Sequence, residues 1–230
     1  MDIREIKETA VWSLYEKGRN YHRMTNIYTD TDRNYRMYNG NQWHGAKLGD
    51  VEPVQKNFIK PIVKYKVGVI HDNLYAINYS SQNFENKDFR QQAEKICEML
   101  NKKASRIWEK DKLDFKGRRI TKDAAINDEG IIYVNYDLDK QVPVNEIIKK
   151  NDVYYGNEND DDIQLQPYIL IRKRMPVVNA MEMARAEGLS EEKLLFIIGD
   201  NDTFEESGEA AKQEVDNMVT VITKMWKENG

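Results

Sequence analysis

Residues 38–45 read YNGNQWHG, a loop rich in aromatic and glycine residues between two segments with helical periodicity. Tyr38 and Trp43 bring large rings whose polar tips need partners, and the glycines allow backbone conformations that other residues resist. His44 has no second His or Cys at the spacing of a metal site. The stretch is therefore predicted to be a structural loop anchored by aromatic side chains. We expect Trp43→Ala to lower the free energy of unfolding by roughly 3–5 kcal/mol, because a large core aromatic would be lost.

The chain on both sides of this loop is predicted to be helical. Apolar residues recur at helical spacing over residues 2–27, and the segment continues to Tyr38, where Asn39 and Gly40 end it. Asn57 is predicted to cap the next helix. That helix carries two apolar stripes, which predicts burial on both of its sides. The stripes are Ile59, Val63, Val67, Ile70 and Phe58, Ile62, Tyr65, Val69.

Two further helices are predicted before the β pattern begins at Gly130. The first has apolar residues at spacings of one, three and four from Phe89 to Trp108, and Cys97 lies inside this stripe. A buried structural thiol is expected there, rather than a nucleophile, because free cysteines are commonly buried. The second helix ends just before Gly130. Its inward residues are Leu113, Ile120 and Ala124.

From Gly130 onward the sequence has a β pattern. Alternating or β-branched runs bounded by turn residues predict short strands. A helix opened by Pro176 and closed by Gly188, and another that starts at Ser190, interrupt them. Residues 200–216 are acidic and are expected to be loose. The predicted strands, including one that precedes this region, are 75–79, 131–136, 142–148, 153–155, 168–171 and 219–226.

The last two residues, Asn229 and Gly230, form the strongest short signal for a hairpin turn. They follow a predicted strand whose apolar residues lack a returning strand. The chain is therefore interpreted as a fragment cut at a turn. The alternative is an exposed edge strand.

The composition limits the classes to which the chain can belong. With 40% hydrophobic residues it can build a core, and with 32% charged residues it has long solvated helix faces. A net charge of −4 argues against a generic basic nucleic-acid binder. The single cysteine excludes an internal disulfide and favours a reducing compartment. No signal-like N-terminus and no run of about 20 apolar residues is present, which predicts a soluble protein without a visible export route.

No local motif predicts catalysis, a metal or a cofactor. The chain has no nucleophile elbow, no phosphate-binding glycine loop and no His pair at metal-ligand spacing. The acidic cluster at residues 158–162 lacks the pattern of an EF-hand loop and is expected to be solvated. Asp123, Asp128 and Glu129 precede a strand, but no sequence pattern places a catalytic lysine or a further acid with them to complete a nuclease centre. The basic run at residues 172–174 is interpreted as a solvated face rather than a phosphate site.

Several blocks of the chain resemble, in their order, the portal proteins of tailed bacteriophages, which are head-to-tail connectors. The sharpest element, Tyr38-x-Gly40-x-Gln42-Trp43, is similar to a signature near the start of these proteins. Asn57 leads a segment similar to the helix that follows it in the family. Further similar blocks follow in order at residues 75–77, 123–134 and 219–230.

This resemblance implies an α+β fold, in which long N-terminal helices precede a small, mainly antiparallel sheet. A mainly helical wing region would occupy residues 1–128, and a mixed α/β region truncated at a hairpin turn would occupy 129–230. The resemblance implies a structural subunit of a ring of about a dozen copies at one capsid vertex. DNA enters through such a ring during packaging and leaves through it during ejection.

The partners that the resemblance implies are other copies of the chain, terminase, scaffold or capsid proteins, head-completion proteins, and double-stranded DNA that passes without sequence recognition. The implied location is the virion, and the host cytoplasm during assembly. Two other functions stay open at this point. One is a small metal-dependent nuclease or phosphotransferase that uses the acidic clusters, and the other is a helical adaptor that binds another protein.

Overall fold

The computed structural model of the protein describes residues 3–47, 49, 52–72, 78–81, 87–137, 141–160, 162–200 and 217–227. Across these residues the chain forms seven α-helices and five strands in two antiparallel sheets, which confirms the predicted α+β class. The helices are α1 (Ile3–Met24), α2 (Ile27–Asn39), α3 (Ile59–His71), α4 (Lys87–Lys110), α5 (Leu113–Asn127), α6 (Val177–Ala186) and α7 (Glu191–Leu194). The strands are β1 (Ile131–Asp137), β2 (Val142–Ile148), β3 (Val153–Tyr155), β4 (Tyr168–Pro176) and β5 (Met218–Trp226).

The chain divides into two compact units. The first unit combines the N-terminal segment up to Arg33 with the residues from Lys149 onward, and the second unit is Asn34–Ile148. The predicted division at residue 128 follows secondary-structure content, since five helices precede it and all five strands come after it. The compact units divide the chain at other positions.

The core of the first unit lies between α1 and a three-stranded antiparallel sheet of order β3-β4-β5. Leu170 of the central strand is fully buried and pairs with Tyr154 of β3. Tyr15 of α1 is 1% exposed, and its ring meets that of Tyr154 edge to face, with 5.2 Å between the ring centroids. Each such side chain contributes about 1.5–3 kcal/mol by leaving water. Partly buried neighbours complete the core, namely Val11, Leu14, Tyr168 and Ile222.

The predicted helix over residues 2–27 is interrupted at Asn26. This residue lies between α1 and α2 with a φ of 58°, in the left-handed region that asparagine tolerates better than most residues. Its carbonyl accepts a hydrogen bond from the Asp30 amide at 2.8 Å. The second helix therefore starts directly at the break, without an intervening loop.

β4 is longer than predicted, and the basic run inside it is not a solvated face. Arg172 is 4% exposed and donates a hydrogen bond to Asp152 at 3.2 Å. Burial raises the pKa of Asp152, and the Arg172 guanidinium opposes that rise. Arg174 donates to the Asp200 carboxylate at 2.9 Å, so Asp200 is held in place although it was expected to be loose. Both arginines are thus engaged in ion pairs within the first unit.

β5 confirms the predicted C-terminal strand. It pairs with β4 along its whole length and is the outer strand of the sheet in the part of the chain that the structure describes. Three other predictions fall mostly or wholly outside that part: the strand at residues 75–79, the loose acidic segment at 201–216 and the turn at Asn229 and Gly230.

The second unit packs α3 and α4 against α5 and adds the β1–β2 hairpin. α3 is covered around Val63, which is 7% exposed, whereas Ile59 and Ile70 of the same stripe are 40% and 42% exposed. The predicted burial of both its stripes is wrong in this chain, because the opposite side is open. The open side, hereafter the α3 stripe, consists of Phe58, Ile62, Tyr65 and Val69, which are 70%, 54%, 73% and 47% exposed.

α4 is also less buried than its periodicity predicts. Cys97 is half-buried, and Phe89, Ile96 and Leu100 of the same stripe are exposed. The prediction of a buried thiol is therefore wrong. The pattern identified the helix correctly, but the chain covers its apolar face only in part.

Gly18 and Gly68 provide a matched pair of helical glycines for testing the core of the first unit. A Cβ on Gly18 would lie 2.8 Å from the Tyr154 Cβ, whereas a Cβ on Gly68 would meet nothing within 4 Å. We expect Gly18→Ala to lower the free energy of unfolding by about 1–3 kcal/mol through overpacking. Gly68→Ala is expected to raise it by up to about 1 kcal/mol through helix propensity. Urea denaturation followed by circular dichroism checks both, and equal effects of the two changes would contradict the packing.

Candidate functional site

α2 ends in a termination that requires a residue in the left-handed conformation. Gly40 has a φ of 86°, and its amide donates to the Met37 carbonyl at 3.0 Å. The Asn41 amide donates to the Arg36 carbonyl at 2.9 Å. This pair of hydrogen bonds is the Schellman motif, in which glycine is preferred because it has no Cβ. The glycine of the predicted signature therefore has a backbone role.

Two side-chain amides then join the end of α2 to the start of α3. Asn57 Nδ2 donates to the Tyr38 carbonyl at 2.8 Å, and Asn57 Oδ1 accepts from the Lys60 amide at 3.0 Å. Gln55 Nε2 donates to the Gly40 carbonyl. These bonds satisfy groups that a helix end leaves without intrahelical partners. Asn57 thus bonds to the first turn of α3, although Phe58 is the residue that directly precedes the helix. The set Tyr38, Gly40, Gln55 and Asn57 is hereafter the α2–α3 junction.

The side chain of Tyr38 is buried in this junction. It is 8% exposed, and two lysine ammonium groups lie near its ring. Lys60 Nζ is 5.8 Å and Lys122 Nζ is 5.9 Å from the ring centroid. Both distances allow a cation–π attraction, which links α3 and α5 to the last turn of α2. Tyr38 is thus a structural anchor, as predicted.

Trp43 and Gln42 behave differently from the prediction. Trp43 is 42% exposed, and its Nε1 donates to the Val54 carbonyl at 3.2 Å. Gln42 and His44 are exposed on the same turn. The expected burial of Trp43 is therefore wrong, and its removal costs less than a core aromatic would. The glutamine that hydrogen-bonds to the backbone at Gly40 is Gln55, which the sequence analysis did not single out.

The acidic residues before β1 have structural partners. Asp123 Oδ1 accepts a hydrogen bond from the Tyr35 hydroxyl at 2.8 Å. Burial, followed by this hydrogen bond, raises the pKa of Tyr35 to about 12. Asp128 has a φ of 68° and follows the last residue of α5. Within the described ranges, no group of three or more His, Cys, Asp or Glu side chains is arranged to hold a metal ion.

The acidic segment between β3 and β4 is organised by a buried glutamine. Gln166 is 6% exposed, and its Oε1 accepts from the Asn157 amide at 2.9 Å. Its Nε2 donates to the carbonyls of Asn157 at 2.9 Å and Asp160 at 2.7 Å. Asp162 Oδ1 accepts from the Gln164 amide at 2.8 Å. The polar side chains here stabilise turns of their own backbone.

A histidine buried among tyrosines lies in the first unit, and the sequence did not single it out. His22 is 3% exposed, and its ring stacks on that of Tyr154 with 4.6 Å between centroids. The Tyr28 ring lies at 5.4 Å, and its hydroxyl is 3.0 Å from the Tyr154 hydroxyl. His22 Nδ1 is buried and has no hydrogen-bond partner among the described residues. Burial, and then the charge of Lys150, lowers the pKa of His22 to about 4.

A pocket of about 270 Å³ lies in the first unit, between α1 and the ends of β3 and β4. Its lining brings together opposite charges from Lys17 and Glu158. Within the part of the chain that the structure describes, its lining includes no serine, threonine, cysteine or histidine side chain. The other lining residues are Gly18, Tyr21, Tyr155, Gly156, Asn157, Asn159 and Tyr168.

Comparisons with known proteins add no family assignment: no family model matches the sequence, and no curated protein matches it significantly. Among the described residues, no helix combines the length and the apolar character needed to cross a membrane.

Asn57 tests the α2–α3 junction. We expect Asn57→Ala to lower the free energy of unfolding by about 1–2 kcal/mol, because α3 loses its cap and the Tyr38 carbonyl loses a donor. Trp43→Ala is expected to cost less than Asn57→Ala, since Trp43 is 42% exposed. Urea denaturation of both variants measures the difference. A larger loss for Trp43→Ala would contradict this account of the loop.

His22 makes the first unit sensitive to acid. Its pKa in the folded protein, about 4, lies below the ordinary value of 6.5, so folding favours the neutral ring. The contribution of neutral His22 to the free energy of unfolding is fully present above pH 6.5 and is lost as the pH falls from 6.5 through 4. Between pH 7.5 and pH 5 this group should lower the free energy of unfolding by about 2 kcal/mol.

His22→Phe keeps a ring at this position and removes the titration. Between pH 7.5 and pH 5 we expect the free energy of unfolding of the wild type to fall by about 2 kcal/mol more than that of the variant. Urea denaturation at both pH values measures the difference. Carboxylates titrate in the two proteins alike, so the difference isolates His22. Parallel pH profiles would rule out the neutral, buried histidine.

Proposed function

We propose that this chain is a structural subunit of a phage portal ring, which forms the DNA entry and exit channel at one capsid vertex. The observation that carries the proposal is the α2–α3 junction. Gly40, Tyr38 and Asn57 belong to the sequence blocks that resemble portal proteins, and all three serve the backbone or the packing there. Their roles support a structural rather than a catalytic reason for the motif.

Groups with catalytic potential are engaged structurally, which favours this proposal over the nuclease alternative. Asp123 accepts the Tyr35 hydroxyl, Arg172 pairs with Asp152, and His22 is stacked inside an aromatic core. A general base needs access to its substrate within hydrogen-bond distance. Buried His22, at 3% exposure, lacks that access.

The distribution of apolar side chains supports assembly with other molecules. Among the described residues, thirty large hydrophobic side chains are exposed, whereas eleven hydrophobic residues are buried. Isolated exposed residues are normal, but continuous apolar faces such as the α3 stripe mark interaction sites on soluble proteins. A subunit that is covered by its neighbours in a ring would have this distribution.

The slightly negative net charge of the chain suits a channel through which DNA passes. Each phosphate neutralised by a protein adds affinity through counterion release, so a channel that passes DNA should not carry a strongly basic surface. The net charge of −4 meets that requirement. Double-stranded DNA passing without sequence recognition, terminase, scaffold or capsid proteins and head-completion proteins are the proposed partners, and the virion is the proposed location.

The molecular mass in solution tests the proposal. We expect the purified chain to form species larger than a dimer, in a concentration-dependent way, when measured by sedimentation velocity and native mass spectrometry. A monomer or a dimer at every concentration would contradict a ring subunit and would favour a small enzyme or an adaptor.

Incubation with plasmid DNA and Mg²⁺ or Mn²⁺ provides a second test. We expect no cleavage. Cleavage that is lost in Asp128→Ala or Asp160→Ala would replace the structural proposal with the nuclease alternative, since these changes remove single carboxylates of the two acidic clusters.

A further inference from the structure

α2 ends in an Asn–Gly pair, Asn39 and Gly40, which has a spontaneous chemistry of its own. The backbone nitrogen that follows an asparagine can attack the carbon of the asparagine side-chain amide, and this attack leads to deamidation. Glycine hinders the attack least, because it has no side chain. Asn39 is exposed to water and dissolved base, whereas Gly40 is buried. The pair is therefore reactive by its sequence, and the structure decides whether the two groups meet.

The fold requires glycine at position 40. Its φ of 86° lies in the left-handed region that other residues resist. A Cβ at this position would also lie 3.0 Å from Asn57 Nδ2 and 3.1 Å from Gln55 Nε2, which is closer than side chains normally pack. The glycine that makes Asn39 labile is thus needed to build the α2–α3 junction.

The same junction fixes the peptide groups on both sides of Asn39. The preceding group ends in the Tyr38 carbonyl, which accepts a hydrogen bond from Asn57 Nδ2 at 2.8 Å. The following group contains the Gly40 amide, which donates to the Met37 carbonyl at 3.0 Å. Attack requires this amide to lose its proton and to rotate out of the helix termination. The Gly40 bond opposes that directly, and the Tyr38 bond opposes it by holding the last turn of α2 in place.

We propose that Asn39 is a modification site, which deamidates spontaneously at a rate set by how often the α2–α3 junction opens. In the open state the Gly40 nitrogen gives its proton to solvent base and forms a bond to Asn39 Cγ. The Cγ–Nδ2 bond then breaks, and ammonia leaves after taking up a proton from solvent. Water adds to either carbonyl carbon of the resulting succinimide ring and opens it to aspartate or isoaspartate.

Both products weaken the junction that controls the reaction. Aspartate places a negative charge at the C-terminal end of α2, where the helix carbonyls already carry partial negative charge. Isoaspartate adds one carbon to the main chain, so the amides of Gly40 and Asn41 lose their register with the carbonyls of α2. Deamidation at Asn39 therefore makes the opening of the junction irreversible.

The rate of deamidation in Asn57→Ala tests the proposal. Wild type and variant are incubated in the folded state at mildly alkaline pH, and mass spectrometry follows the tryptic peptide 37–47, in which fragmentation separates Asn39 from Asn41. The loss of stability expected for Asn57→Ala raises the open population about 5–30-fold. We expect the initial rate at Asn39 to rise by the same factor, because the rate follows the open population when opening and closing are fast compared with the chemistry. The wild type unfolded in urea should react faster than either folded protein.

Gly18→Ala is the matched control, because it lowers the stability of the first unit without touching the junction. Its Asn39 should deamidate at the wild-type rate, since opening at the junction is local. Gln55→Ala, which frees the Gly40 carbonyl, should accelerate the reaction as Asn57→Ala does. Circular dichroism first establishes that each variant is folded. The proposal is overturned if the folded wild type reacts as fast as the unfolded chain, if both junction variants keep the wild-type rate, or if Gly18→Ala accelerates the reaction as much as they do.

Discussion

The packing of Tyr154 is the constraint on which the first unit depends. Its ring meets Tyr15 edge to face and stacks on His22, and its hydroxyl lies 3.0 Å from that of Tyr28. Burial, and then the neighbouring Tyr28, raises the pKa of Tyr154 above its ordinary value. α1 can approach β3 this closely only because Gly18 has no side chain at the crossing. Tyr154 of β3 thereby positions both α1 and α2.

Both units contain polar side chains that hydrogen-bond to helix ends or to opposite charges, and both leave large apolar side chains exposed. Asn57 and Gln55 satisfy helix ends in the second unit, and Arg172 pairs with Asp152 in the first. Satisfied buried polar groups favour a single, well-defined conformation, although each hydrogen bond adds only about 0.5–1.5 kcal/mol. Open apolar faces suit a protein that works by assembly, which is the basis of the proposed function.

α1 shows what pattern reading misses. The stripe that α1 buries consists of Val11, Tyr15, Gly18 and His22, at spacings of four, three and four. The predicted stripe of this helix was Ile3, Ile6, Ala10 and Leu14, because tyrosine, glycine and histidine are not scored as core residues. They are core residues here because Tyr154 lies opposite them, and nothing within α1 indicates that. The same limit applies to Gln55, whose partner on α2 is distant in sequence.

The sequence by itself determined the features that arise from neighbouring residues. It determined most of the described helices and strands, the end of α2 at Gly40 and the role of Asn57 at the start of α3, because periodicity and helix termination are local properties. It missed the break at Asn26 and the full length of β4. Only the tertiary structure decided which faces are covered: it exposed Trp43 and the α3 stripe and buried His22 and Arg172. The physical reason is that burial depends on what the chain places opposite a side chain, and that information is spread over residues far apart in the sequence.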